Sequence, residues 1–141
     1  MIYWDTSALI RCYATGEPGY ERSRSLLTGD QDPYASALIR PEATSAILRK
    51  LGPDRRRAQS VLNVMEESLK YFTLLPVDDG ELESAVTLVR RHSLRGADAV
   101  HLAGALNLSK KLGRRYLRFA TADREQAVAA RAENLKVIQP E

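Results

Sequence analysis

Met1-Ile2-Tyr3-Trp4-Asp5-Thr6-Ser7-Ala8-Leu9 opens the chain with an apolar run that breaks on one acid and two hydroxyl residues. An apolar run stopped by capping residues reads as a short buried strand, here residues 1–5, passing directly into a helix over Thr6–Ala14. Far along the chain the same order returns. Tyr116–Thr121 is strand-like, Ala122–Ala132 is helical, and Leu135–Ile138 is a last strand. Between these ends, Gly16-Glu17-Pro18-Gly19 is a turn before a helical Tyr20–Leu27. Gly29-Asp30-Gln31-Asp32-Pro33 then punctuates the chain before a short strand at Tyr34–Ser36. Leu38, Ala43, Ala46, Ile47 and Leu51 recur at helical spacing until Gly52-Pro53, and Val61, Leu62, Met65 and Leu69 mark the next helix. Tyr71–Val77 is strand-like, Asp78-Asp79 opens a helix to His92, and a helix over Gly96–Leu112 stops at Gly113.

Strands therefore alternate with helices of crossover length, which predicts a three-layer α/β/α sandwich around a mainly parallel sheet. No repeat, long linker or low-complexity stretch divides the 141 residues, so one domain over 1–141 is expected, and 44% hydrophobic residues suffice for its core. In such sheets ligands bind beyond the carboxyl ends of the strands.

Cys12 is the one cysteine, which excludes an intrachain disulfide and an all-cysteine zinc site. No apolar run approaches the roughly 18 residues of a membrane span, and the first residues lack the basic start of a signal peptide. A cytoplasmic protein with no membrane partner is expected. The net charge is +3 and arginine far outnumbers lysine, with clusters at Arg55-Arg56-Arg57, Lys110-Lys111 and Arg114-Arg115. Such a surface suits a polyanion through counterion release, and equally suits plain solvation.

Four acids carry the chemistry, although each has an ordinary explanation. Asp5 ends the first strand and can cap the next helix. Glu42 follows Pro41 in a first helical turn, where it complements the helix dipole. Asp98, in Leu94-Arg95-Gly96-Ala97-Asp98-Ala99-Val100-His101-Leu102-Ala103, shares a face with apolar and small residues and so needs a partner or an ion. Asp123 in Thr121-Ala122-Asp123-Arg124-Glu125 directly follows a strand, with Thr121 as a natural cap. Taken together they lie at or near helix starts, which a parallel sheet gathers at one edge. Four carboxylates there repel one another unless a cation compensates. All-oxygen ligation suits magnesium or manganese rather than zinc or copper.

Other motifs read as structural. Asp78 with Glu81 makes a capping-box-like helix start, His92 and His101 have no metal-ligand partner at useful spacing, and Cys12 fits a small buried residue. A glycine-rich phosphate loop and a Gly-x-Ser-x-Gly elbow are both missing, which argues against P-loop hydrolysis and serine acyl transfer.

Asp5-Thr6-Ser7-Ala8-Leu9, Glu42 in its Ala-x-x-x-Ile-Leu-Arg helix, Ala97-Asp98-Ala99-Val100-His101-Leu102-Ala103-Gly104-Ala105, and Thr121-Ala122-Asp123 with the closing Leu-Lys-Val-Ile strand stand in one order along the chain. In that order the chain resembles PIN-domain nucleases, and more closely the VapC-type toxins of bacterial toxin–antitoxin pairs. The resemblance implies a PIN-like α/β/α fold and an endoribonuclease dependent on Mg2+ or Mn2+. It also implies a homodimer and a cognate antitoxin. Asp5, Glu42 and Asp98 carry over as metal ligands, Asp123 as a fourth acid acting directly or through water, and Thr6 and Thr121 as supporting residues. A glycine common before the last strand is replaced by Asn134, which also tolerates left-handed backbone. The expected reaction is attack of an activated water on an RNA phosphodiester. A PIN nuclease of RNA processing without an antitoxin, and a non-cleaving RNA- or protein-binding module, are the alternatives.

Overall fold

Five short strands and seven helices alternate in the computed structural model, which describes residues 1–140. In order they are β1 (Ile2–Trp4), α1 (Thr6–Arg11), α2 (Tyr20–Gly29), β2 (Pro33–Ser36), α3 (Ile39–Leu51) and α4 (Arg55–Leu69), then β3 (Thr73–Leu75), α5 (Asp79–Arg91), α6 (Gly96–Leu112), β4 (Arg118–Ala120), α7 (Arg124–Ala132) and β5 (Lys136–Ile138). The strands form one parallel sheet in the order β3-β2-β1-β4-β5.

Layering follows from the pleat. Successive residues of β1 point to opposite faces. Ile2 and Trp4 therefore pack with Leu9, Ile39, Ile47 and Met65 of α1, α3 and α4. Tyr3 packs the other way, with Leu88, Leu102, Phe119 and Ala130 of α5, α6, β4 and α7. The chain runs outward from β1 through β2 to β3, then returns to β4 on the other side of β1. Crossovers of one handedness must then cover opposite faces in the two halves. The expected three-layer sandwich with a mainly parallel sheet is found, and the sheet is parallel throughout.

Boundaries differ from the sequence expectation where turns take over. β1 is shorter than residues 1–5 because Asp5 is already the cap of α1. α1 ends at Arg11 rather than Ala14, since the amide groups of Cys12 and Tyr13 bond back only three residues, to Leu9 and Ile10. Tyr71 and Phe72 form the turn that follows α4, with amides bonded to the carbonyls of Ser68 and Leu69, so β3 begins at Thr73. Asn134 takes the left-handed backbone expected of it, at φ 66°. Cys12 is buried and free. Among the described residues, no helix is long and apolar enough to cross a membrane.

The order of strands creates a switch point between β1 and β4, where the chain leaves in opposite directions. A crevice at the carboxyl ends of two such strands is where this architecture binds ligands. Asp5 stands directly beyond β1, and Thr121 directly beyond β4.

Candidate active site

Asp5 is 2% exposed and every role suggested for it locally is filled at once. As the cap of α1 its Oδ2 accepts from the Ser7 amide at 3.0 Å and from the Ser7 hydroxyl at 2.5 Å. Its Oδ1 accepts from Gln126 Nε2 at 3.1 Å. The buried Gln126 gives its second amide hydrogen to the backbone carbonyl of Asp98, also at 3.1 Å, and its Oε1 accepts from the Thr121 hydroxyl at 2.6 Å. Thr121 Oγ1 in turn accepts from the Asp123 amide at 3.1 Å, and Ser7 Oγ accepts from the Ala122 amide at 2.9 Å. Asp123 caps α7 by accepting from the Gln126 amide at 3.0 Å. The network thus joins the end of β1, the end of β4, and the first turns of α6 and α7.

Glu42 comes from the first turn of α3 and Asp98 from the first turn of α6. Glu42 Oε1 accepts from the Thr6 hydroxyl at 3.1 Å and also from Nε2 of His101. Burial pushes its carboxyl upward, but the bonds from His101 and Thr6 outweigh that and hold it below the ordinary range. His101 is fully buried; burial alone would lower its pKa, yet the bond to Glu42 and the charges of Asp5, Glu42 and Asp98 keep it raised.

Asp98 is different. Its half-buried carboxylate accepts no hydrogen bond from any described residue. Burial, then the charges of Asp5, Asp123 and Glu42, push its pKa up to about 6, against some relief from His101. Asp5, Thr6, Glu42, Asp98 and Arg49 line one open cleft of about 440 Å³. Asp123 is close enough to perturb Asp98 but does not line that cleft.

The donor set fits a hard cation, because it is all carboxylate and because Asp98 carries the repulsion of three others. Among the described residues, no three His, Cys, Asp or Glu side chains already converge at ligating distance. Asp5 is turned onto Ser7 and Gln126 through both oxygens, and Glu42 onto Thr6 and His101 through Oε1 alone.

Several expectations are corrected here. His101 is not a mere structural or surface residue but the partner of Glu42, and it lies three residues after Asp98 on one helix face, a spacing that could have revealed it. Gln126 carried no sequence signal beyond being a polar residue on an otherwise alanine-rich helical face. Asp78 does cap α5, accepting from the Glu81 amide at 2.8 Å, but the Glu81 side chain turns inward and is buried instead of completing a capping box. The basic pair Lys110-Lys111 lies in the last turn of α6, at the opposite end from Asp98.

Comparison with known proteins agrees with this architecture. Residues 2–132 match the PIN domain. The chain is 34% identical to "Ribonuclease VapC46" of Mycobacterium tuberculosis over 139 residues, covering 99% of this chain and 97% of the relative. Among solved structures, FitAcB from Neisseria gonorrhoeae superposes with a TM-score of 0.71 at 21% identity, covering 99% of this chain and 98% of that one. A toxin–antitoxin complex from Klebsiella pneumoniae superposes at 0.67 and 18% identity, covering 100% and 98% respectively. At those identities the two structures speak for the fold alone.

Proposed function

The chain belongs to the PIN-domain family, and from that premise we propose that it is a divalent-metal-dependent endoribonuclease and the toxin of a toxin–antitoxin pair. The observation that carries the reading is Asp98, a half-buried carboxylate with no donor, crowded by three other acids at the carboxyl ends of β1 and β4. Asp5, Glu42 and Asp98 would hold Mg2+ or Mn2+, and Asp123 would act from the rim, directly or through water. Bound there, the ion supplies activation of a water and compensation of charge on phosphoryl oxygens.

The chain's own residues do the rest. Gln126 and Ser7 fix the Asp5 carboxylate, Thr6 and His101 fix that of Glu42, and Gln126 ties Asp98's backbone to Asp5. Thr121 supports the rim by orienting Gln126 and the Asp123 amide. Arg49 gives the cleft a cation for the RNA backbone. His101 is buried with Nε2 committed to Glu42, so it is not free to deprotonate a ribose hydroxyl. Hydrolysis by water is therefore favoured, leaving 5′-phosphate and 3′-hydroxyl ends. Digestion of RNA with the pure protein and Mg2+, with the ends identified by mass spectrometry, tests this. Cyclic 2′,3′-phosphate ends would overturn it.

The nuclease unit is taken as residues 1–141, acting as a homodimer. The antitoxin partner rests on the VapC-type resemblance and on the 34% identity to a VapC ribonuclease. Co-purification with the product of an adjacent small gene, with loss of ribonuclease activity in the complex, is the expected outcome.

A further inference from the structure

His101 occupies a position where packing alone would choose leucine or alanine. Its neighbours in α6 at Leu102, Ala103 and Ala105 are all fully buried and apolar, and so is Ala99. Burying an imidazole is costly unless its nitrogens find partners. Its Nε2 finds two, both on other elements that line the cleft: Glu42 Oε1 of α3, and Thr6 Oγ1 of α1 at 3.3 Å. The Thr6 hydroxyl also donates to Glu42 Oε1, at 3.1 Å. One oxygen of Glu42 therefore receives both donors, while Oε2 accepts no hydrogen bond from the described residues.

Behind the ring the surroundings are polar as well. One turn further along α6, a Cβ on Gly104 would stand 2.2 Å from the Tyr3 hydroxyl and 3.1 Å from Glu81 Oε1. The Tyr3 hydroxyl and the Glu81 carboxylate are thus pressed against α6, and only glycine leaves them room. His101 Nδ1, Tyr3 Oη and Glu81 Oε2 are all buried without a hydrogen-bond partner among the described residues. Glu81 is close enough for the imidazole charge to act on it.

We propose that His101 is a positioning residue: with Thr6 it holds Glu42 by one oxygen and leaves the other free to ligate the ion, while Tyr3 and Glu81 back the ring through the space that Gly104 leaves. This rests on the metal-dependent reading above. Outer partners of a ligating carboxylate fix its pose, and losing one typically weakens metal binding by roughly 10- to 100-fold.

The test is calorimetric titration of Mn2+ alone into the purified full-length chain, with thermal melting to verify folding. His101→Leu is expected to weaken Mn2+ binding by roughly 10- to 100-fold. His101→Gln keeps an N–H donor at similar reach and is expected to retain the affinity within about threefold, whereas the shorter His101→Asn should lose it. In a Glu42→Ala background His101→Leu should cause no further loss, because its effect passes through Glu42. Mn2+ affinity in His101→Leu equal to that of the unaltered protein overturns the proposal, and so does an undiminished effect in the Glu42→Ala background. If His101→Leu does not fold, equal affinities for the Gln and Asn variants overturn it. Failure of the unaltered chain to bind Mn2+ overturns the metal reading itself, a result distinct from variants that bind as tightly as their parent.

Discussion

The two sides of the cleft are built differently. On the β1–α7 side Asp5 and Asp123 sit in a closed hydrogen-bond network through Ser7, Thr121 and Gln126, and Asp5 has both oxygens occupied. On the α3–α6 side Glu42 has one oxygen bonded and Asp98 has none, and the electrostatic strain collects on Asp98. The difference teaches how the fold divides a cluster of like charges. One half is neutralised by N–H and O–H donors from helix caps and a buried amide. The other half stays under-satisfied and keeps oxygens available for a ligand.

The largest effect should come from removing the under-satisfied acid. Asp98→Asn keeps the shape and removes the charge, so RNA cleavage should fall by more than the roughly 100-fold that loss of an outer partner costs. Full cleavage by the pure variant in a gel assay would break the comparison at its centre. Gln126→Leu attacks the opposite side. It leaves the buried Asp5 Oδ1 without its donor and removes one bond each from the Asp98 carbonyl and the Thr121 hydroxyl. We expect a loss of about 2–3 kcal/mol in urea unfolding. A neutral result would mean that the network is slack, not holding.

A smaller and opposite effect separates the two sides by pH. The Asp98 pKa is raised to about 6 from 3.8, so between those values the folded chain binds more protons than the unfolded one. Stability of the metal-free protein should therefore decline as pH rises from about 4 to 6, and the penalty should persist above that. At face value the shift approaches 3 kcal/mol, but a half-exposed group is screened by solvent and about 1 kcal/mol is a fairer figure. In EDTA at pH 7, Asp98→Asn should thus raise the melting temperature by about 3 °C, and the gain should vanish near pH 4. A drop in melting temperature at pH 7 would show Asp98 to be satisfied after all.

What could be read from the sequence divides along the same line. Asp5 and Asp123 were legible because strand, acid and helix start are contiguous there, so local rules place the side chains at the sheet edge. The α/β/α layering was legible for the same reason: crossover length and apolar runs are short-range signals. Glu42 needed the ordered family resemblance, since a first-turn acid is otherwise ordinary, whereas Asp98 already stands out as a carboxylate among apolar and small residues. His101 and Gln126 stayed hidden because their partners lie 59 and 121 residues away. Their burial could have hinted at a role. A helix as uniformly apolar as Ala99–Ala105 is buried all round, and a histidine inside it requires a partner. Glu81 was misread because its backbone does join the cap of α5 while its side chain does something else.

The smallest expected effect concerns which basic residues meet RNA. Arg49 lines the cleft beside Glu42 and Asp98. Lys110 and Lys111 lie at the other end of α6. At 1.5 Å per residue, the twelve residues from Asp98 to Lys110 span about 18 Å. That is more than twice the Debye length of about 8 Å at physiological salt, so those lysines cannot act on a phosphate at the acids through solvent. With the Asp98→Asn protein used to prevent cleavage, RNA affinity measured against salt concentration should give a log–log slope shallower by about 0.7 when Arg49→Gln is added. Lys110→Gln with Lys111→Gln should leave the slope unchanged if the RNA keeps to the cleft. An equal drop for the lysine pair would mean that the strand continues along the length of α6. The two sides of the cleft would then be the start of a longer track, whose far end the acids do not reach.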